Sequence, residues 1–108
     1  MSEFSVDEFR RVVVKVGSSL LIGADGRVDR QWLAGLAEDV GDLHDRDHEV
    51  LVVSSVAIAI GITLLGINKR RARLEDLQAA AAAGQVQLAH AYLEALAHYD
   101  ITTAQVLL

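Results

Sequence analysis

Cysteine and proline are absent from the 108-residue sequence, and aromatic residues make up only 5% of it. Without cysteine, the chain can form no disulfide bonds, thiolate metal sites or cysteine nucleophile. With so few aromatic rings, the hydrophobic core must be built mainly from Val, Leu, Ile and Ala. These small aliphatic side chains favour closely packed layers of helices and strands.

The distribution of charge and hydrophobicity argues against several functional classes. The net charge of −5 at pH 7 is unfavourable for binding nucleic acid, because that affinity depends on a basic surface. The first residues are acidic and polar, unlike a secretory signal, and we predict a cytoplasmic protein. Ser54, Ser55 and Gly61 interrupt the apolar run 51–67, which we interpret as a buried strand and a buried helix, with no membrane span.

The order of the predicted elements indicates the fold class. The run Arg11–Val16 is rich in β-branched residues without strict alternation, which is typical of a strand buried on both faces of a parallel sheet. Strands and helices alternate along the chain, so we predict an α/β three-layer sandwich with a small, mostly parallel sheet of about three strands. Residues 1–10 are predicted to be a flexible lead-in and residues 11–108 a single domain. The other predicted elements are a helix from the Asp29 cap to about Leu43, a strand at Leu51–Val53, a helix from Ser55 to about Leu65, a helix over Leu74–Tyr99 and a strand at Thr103–Leu108. The long helix has an apolar stripe with Gly84 in its middle, which predicts a close approach to another element there.

No metal site is predicted from the histidines or from the acidic residues. His90 and Glu94 lie one helical turn apart, but a third converging ligand is missing. The acidic residues of the first helix are interpreted as its solvent-exposed face.

Two polar junctions follow the first two predicted strands, at the edge where parallel sheets bind their ligands. In the first junction, Gly17 would let backbone N–H groups approach a phosphate, and Lys15 would supply a positive charge. In the second, Ser55 stands near a helix start, where free N–H groups favour an anion. Taken alone, the pattern Lys-x-Gly-Ser is also compatible with an ordinary strand end carrying a surface lysine, and its spacing is not that of a Walker A loop.

A series of spaced motifs extends over nearly the whole chain. They are Val12-Val13-Val14-Lys15-Val16-Gly17-Ser18-Ser19-Leu20-Leu21, Gly26-Arg27-Val28, His48-Glu49-Val50-Leu51-Val52-Val53-Ser54-Ser55, Ala57-Ile58-Ala59 with Gly61, Leu64-Leu65-Gly66, Gln78 with Ala80-Ala81-Ala82, Gly84-Gln85 and Ala104-Gln105-Val106-Leu107-Leu108. In this order they resemble the N-terminal part of the bacterial glutamate 5-kinases, a family of amino-acid kinases. Several motifs in one order are more specific than any of them alone.

The resemblance implies half of an amino-acid-kinase fold and a defined chemistry. The family transfers the γ-phosphoryl group of ATP to the side-chain carboxylate of glutamate, with magnesium, as the first committed step toward proline. By this resemblance Lys15 would be catalytic and would stabilise charge on the transferring phosphoryl group. Gly17 and Ser18 would offer N–H groups to the nucleotide phosphates, and Ser55 would help to hold glutamate.

The chain also departs from the family pattern. Val56 stands at a glycine position, where a β-branched side chain adds bulk near the ligand. Asp47 and Asp100 also stand at glycine positions. The family's catalytic domain is much longer, and its later half supplies the nucleotide pocket. Together with the lack of proline, these departures predict a truncated or redesigned domain, selected for foldability.

We therefore expect a chain of glutamate 5-kinase origin that folds but does not turn over by itself. Two alternatives stay open: a weak phosphate or nucleotide-binding module, and a kinase segment that is active only with its missing half. ATP, magnesium and glutamate are the ligands of the parent family, and this chain need not bind a cofactor. An exposed sheet edge would also allow a homodimer to form.

Overall fold

Two parallel strands form the sheet of this protein, which a computed structural model describes over residues 6–105. Strand β1 is Arg11–Val16 and strand β2 is Glu49–Ser54, and the two pair along their whole length. Both are rich in valine, whose β-branched side chain suits an extended backbone. The bounds of β1 agree with the prediction, whereas β2 extends beyond Leu51–Val53 at both ends. The α/β class with a parallel sheet is confirmed.

Helices account for most of the other described residues. Asp29 caps the second helix as predicted, because its Oδ1 atom accepts a hydrogen bond from the backbone N–H of Trp32 at 3.0 Å. The short α-helix that follows β1, Ser18–Leu21, was not predicted, since four residues are too few to give a periodic pattern. Within residues 6–105, none of the helices combines the length and hydrophobicity that a membrane span needs. The helices are a short 3-10 helix at Val6–Glu8, α1 at Ser18–Leu21, α2 at Arg30–Asp45, α3 at Ala57–Leu65 and α4 at Leu74–Ala97.

Within residues 6–105, the helices cover one face of the sheet and leave the other uncovered. Val16 is buried in the hydrophobic core, and Val52 packs against the same core from β2. On the opposite face, Val13, Leu51 and Val53 are 59%, 50% and 41% exposed. The burial of β1 on both faces, predicted from its sequence, is therefore corrected, and the described residues form two layers where three were expected. Apolar residues on both faces made the strand suitable for double burial, but nothing in residues 6–105 covers the second face.

The ends of the chain fall partly outside the described residues. Of the predicted strand Thr103–Leu108, residues 103–105 are not paired in the sheet, and residues 106–108 lie outside the described residues. Residues 1–5 of the predicted lead-in also lie outside them. The described part of the lead-in contacts the domain, since the Asp7 carboxylate lies 2.7 Å from a guanidinium nitrogen of Arg46 and 3.2 Å from Nε2 of the buried His48.

Helices α2 and α4 end in a left-handed turn made by an aspartate. Asp47 has φ 66° and Asp100 has φ 56°. After α2, the N–H of Asp47 donates to the carbonyl of His44, and the N–H of His48 donates to that of Leu43. This pair of bonds is the Schellman motif, which normally has glycine at the left-handed position. The same turn after α3 does contain glycine, Gly66, at φ 65°. The backbone thus has the conformation that suits glycine at both aspartates.

Two glycines bring α3 and α4 into direct backbone contact. A Cβ atom on Gly84 would lie 2.6 Å from the carbonyl carbon of Ala57, and one on Gly61 would lie 2.6 Å from the Cα of Ala80. No ordinary side-chain contact is as short, so both positions require glycine for space. The close approach that the apolar stripe of α4 predicted at Gly84 is confirmed.

Candidate functional site

The candidate site lies at the carboxyl ends of the two strands. Val16 pairs with Ser54, so the strands end level with each other. The residues that follow them, Gly17 with Ser18 and Ser55, are consequently at the same edge of the sheet. This is the edge at which open α/β sheets bind ligands, because loops and helix starts converge there. The structure therefore brings both predicted polar junctions to one edge.

Lys15 lies at this edge on the uncovered face of the sheet. It pairs with Val53 in the register, and its side chain is exposed. Among the described residues it forms no ion pair, so its ammonium group is available to an anion from solution. The lysine is thus positioned as expected, but no second wall faces it within residues 6–105.

Gly17 leaves open space directly above the strand end. Its φ of −79° and ψ of 155° are extended angles that any residue can adopt, so the backbone conformation does not require glycine here. A Cβ atom at this position would meet nothing within 4 Å. The absence of a side chain instead leaves room for a ligand to approach the backbone. Ser18 follows as the first residue of α1 and is also exposed.

Ser54, Ser55 and Val56 alternate between the core and the solvent. The Ser54 hydroxyl lies 2.9 Å from the phenol oxygen of Tyr92, and Val56 is buried at 1% exposure. Ser55 between them is exposed. Val56 has φ −113°, so the residue found in place of the family's glycine sits in an ordinary backbone conformation with its side chain in the core. The bulk that the sequence led us to expect beside the ligand is therefore directed away from Ser55.

Tyr92 was missed by sequence reasoning, although a signal for it was present. It lies on α4 four residues after Leu88 and four before Leu96, which are both buried. A tyrosine on such an apolar stripe needs a hydrogen-bond partner for its hydroxyl group. The partner, Ser54, is 38 residues away in the sequence, and no local pattern identifies it.

The described residues do not form a magnesium site of their own. Among residues 6–105 there is no group of three histidine or acidic side chains that could hold a metal ion. The four candidate residues include no acidic side chain; they are Lys15, Gly17, Ser18 and Ser55. His90 and Glu94 do contact each other at 2.7 Å, but Glu94 also pairs with Arg30 at 3.0 Å. That arrangement is an exposed network of polar contacts at the surface. Magnesium is commonly bound through substrate phosphates as well as carboxylates.

A separate cleft of about 450 Å³ lies away from the candidate site. It is formed by the turn before α2 and the start of α2 together with α3 and α4. Its polar groups come from Asp25, Arg27, Arg30, Thr63 and Gln87. None of Lys15, Gly17, Ser18 and Ser55 lines it. The candidate site is thus an open edge, not an enclosed pocket.

Comparison with known proteins gives the relationship of this chain. A glutamate 5-kinase of Brucella anthropi is 50% identical over 99 residues, which are 92% of this chain and 26% of that protein. The glutamate 5-kinases of Brucella ovis and Brucella canis are each 48% identical over 100 residues, which are 93% of this chain and 26% of theirs. The chain spans about a quarter of the length of the curated relatives it matches.

The similarity also extends to a whole protein family. Residues 10–108 match the sequence profile of the amino acid kinase family. The resemblance inferred from the spaced motifs is confirmed by this match and by the relatives. The parallel α/β architecture agrees with part of such a fold. The chain belongs to the amino acid kinase family.

Proposed function

We propose that this chain forms one wall of a glutamate 5-kinase site. In that reaction a side-chain carboxylate oxygen of glutamate attacks the γ-phosphorus of ATP. The bond from that phosphorus to the bridging oxygen of ADP breaks, and γ-glutamyl phosphate and ADP result. The observation that supports the proposal best is the level ending of β1 and β2, with Lys15, Gly17, Ser18 and Ser55 at one edge.

Lys15 is proposed as the catalytic residue of this wall. Phosphoryl transfer depends mainly on positioning and on stabilising the charge spread over the transferring group. A lysine supplies a compact charge with three N–H donors, and this one is exposed and without an ion pair among the described residues. Magnesium and ATP would supply the phosphoryl group and part of the charge neutralisation.

Gly17, Ser18 and Ser55 are proposed as binding residues. The open space above Gly17 allows a phosphate to come close to the backbone N–H groups of this segment. The exposed hydroxyl of Ser55 can donate a hydrogen bond to a carboxylate of glutamate. These contacts are polar and exposed to solvent, so each is expected to contribute little to the free energy of ligand binding.

We further propose that the chain by itself does not catalyse the phosphoryl transfer. An efficient transfer needs reactants held in line and shielded from water. The four candidate residues are all exposed, and the described residues provide only one side of the site. Weak binding of phosphate or nucleotide without transfer is therefore the second candidate function, and the free space above Gly17 favours it. A cytoplasmic location belongs to the same proposal, since the reaction would consume ATP.

Titration by NMR tests the binding part of the proposal. Magnesium-ATP and L-glutamate are added separately while the amide signals of Gly17, Ser18 and Ser55 are followed. We expect saturable shifts that Lys15→Gln weakens for the nucleotide. The matched control is Lys69→Gln, which removes an exposed lysine from the loop between α3 and α4. Unchanged amide signals in the wild-type chain would refute binding, and release of ADP above the uncatalysed rate would refute the lack of turnover.

We also propose a homodimer through the sheet edge. Each strand has one paired neighbour within residues 6–105, and its outer backbone groups are open to another strand. The outer edge of β2 is favoured because β2 carries a charge only at its first residue, Glu49, whereas β1 carries Arg11 and Lys15. Sedimentation equilibrium should reveal a dimer that Val53→Lys weakens and Val86→Lys, on the exposed surface of α4, does not. A monomer at the highest soluble concentration would contradict the proposal.

A further inference from the structure

A pair of hydroxyl groups ties the last residue of β2 to helix α4. The Oγ atom of Ser54 and the phenol oxygen of Tyr92 are 2.9 Å apart in a partly buried position. The Tyr92 ring packs against both clusters of the hydrophobic core, which fixes its location. Burial raises the pKa of the Tyr92 phenol, and the bond to Ser54 lowers it by less. The phenol therefore keeps its proton at neutral pH and bonds as a neutral hydroxyl.

This bond fixes the neighbour of a candidate binding residue. Ser54 points to the helical side, and Val56, two residues later, is buried on that side as well. In extended chain, alternate side chains point to opposite sides. Ser55 is thus left exposed between two anchored residues, and its hydroxyl forms no hydrogen bond within residues 6–105.

We propose that Tyr92 is a positioning residue for Ser55. Its hydroxyl holds Ser54 on the helical side, and it thereby keeps the Ser55 hydroxyl directed to the open edge where Lys15 and Gly17 lie. The inference rests on the proposed role of Ser55 in holding glutamate. Tyr92 itself does not face the ligand, because its ring packs against the hydrophobic core on the helical side of the sheet.

The anchor is needed because the strand ends at this residue. Ser54 is the last residue of β2, and α3 begins only at Ala57. Val56 precedes α3 without a side-chain capping bond. Between the last strand pair and the first helical residue, the hydroxyl pair and the buried Val56 side chain therefore restrict the backbone of Ser55. Loss of the hydroxyl pair would leave one of these two restraints.

The first measurement needs no ligand. Tyr92→Phe keeps the ring in the core and removes only the hydroxyl, and Ser54→Ala removes the other partner. We expect both variants to shift the amide signal of Ser55 in the same direction, with no further shift in the double variant. The control Tyr99→Phe removes a hydroxyl from an exposed tyrosine and should leave Ser55 unchanged. Ser54→Thr keeps a hydroxyl group at this position and should therefore keep a signal close to that of the wild type.

The second measurement is the affinity for L-glutamate, from the shifts of the same amide. We expect Tyr92→Phe and Ser54→Ala each to weaken binding about fivefold, as the loss of one net hydrogen bond would. The double variant should bind L-glutamate no more weakly than either single variant, and Ser54→Thr should keep most of the wild-type affinity. Thermal unfolding of each variant verifies that the chain is folded at the temperature used.

The two measurements separate the inference from the proposed function. If the wild-type chain gives no saturable shift with glutamate, the proposed function fails, and the ligand-free signals alone decide the inference. If glutamate binds and Tyr92→Phe changes neither the Ser55 signal nor the affinity, the positioning role is refuted while the proposed function stands. Additive effects in the double variant would also refute it, because two groups that act through one bond cannot add.

Discussion

Replacing Gly84 by alanine is expected to destabilise the chain, although alanine is the better helix former. The added methyl group would overlap the carbonyl oxygen of Ala57, and it would lie 2.6 Å from the carbonyl carbon of Ala57 and 2.9 Å from the amide nitrogen of Gly61. Two carbon atoms make their best contact at about 3.5 Å or more, so the helices would have to separate by more than about 1 Å. The obstructing atoms belong to the backbone of α3, which cannot rotate aside as a side chain can.

The expected magnitude follows from two opposing effects. Forcing an extra methyl group into a packed interface costs about 1–3 kcal/mol, and contact with backbone places this site at the upper end. Alanine in place of glycine within a helix recovers about 1 kcal/mol. We therefore expect Gly84→Ala to lower the free energy of unfolding by about 2 kcal/mol. For a domain of about 100 residues this corresponds to a Tm lower by about 10 °C.

Gly35 supplies the matched control. It also lies within a helix, α2, but a Cβ atom there would meet nothing within 4 Å. Gly35→Ala should therefore raise the free energy of unfolding by about 0.5–1 kcal/mol. Urea unfolding followed by circular dichroism measures both variants. If Gly84→Ala were as stable as Gly35→Ala, the close crossing of α3 and α4 would be refuted.

Three further substitutions test other parts of the structure. Val56→Gly should lower the free energy of unfolding by about 3 kcal/mol in the same urea assay, because a buried valine side chain is lost and glycine increases the conformational entropy of the unfolded chain. A variant more stable than the wild type would contradict the burial of Val56. Asp47→Gly and Asp100→Gly should each add about 0.5 kcal/mol to the free energy of unfolding by relieving left-handed backbone strain. Asp39→Gly, at an exposed position in the interior of α2, should cost a similar amount. Destabilisation by the first two variants would argue against the positive φ of Asp47 and Asp100. The hydrogen bond and charge of Arg11, followed by the charge of Arg10, hold the pKa of the Glu49 carboxyl in the folded chain below its usual value of 4.5. The ionised carboxylate therefore stabilises the fold fully above the usual pKa, and this stabilisation is lost as the pH falls through the lower pKa of the folded chain. Glu49→Gln should accordingly be less stable than the wild type at neutral pH and equal to it at strongly acidic pH, and a difference that persists unchanged in acid would contradict this sign.

Local signals predicted most of the elements. The valine run of β1 and the Asp29 cap of α2 were placed where the structure has them, because backbone preference and capping act over a few residues. The stripe on α4 likewise predicted the close approach at Gly84. Helix α1 has four residues and carries no periodic pattern, so the sequence does not predict it.

Long-range contacts set the limit of prediction. Valines on both faces of β1 indicated burial on both sides, yet only contacts from distant segments decide which face is covered, and Val13 is left exposed. For the candidate site, strand alternation and the parallel arrangement were enough to bring Lys15, Gly17 and Ser55 to one edge. The inward direction of the Val56 side chain depends on packing with residues such as Leu88, far along the chain, and could not be read locally.

The uncovered face of the sheet affects how the chain behaves in concentrated solution. Val13, Leu51 and Val53 form an exposed apolar strip, and charge repulsion between molecules is what opposes its self-association. The net charge is −5 at pH 7 but vanishes near the isoelectric point of about 5.2. Colloidal stability should therefore be good in dilute buffer above pH 7 and poor near pH 5, and added salt should reduce it by screening. The pH and salt concentration at which the chain stays in solution are therefore expected to depend on this strip of three side chains.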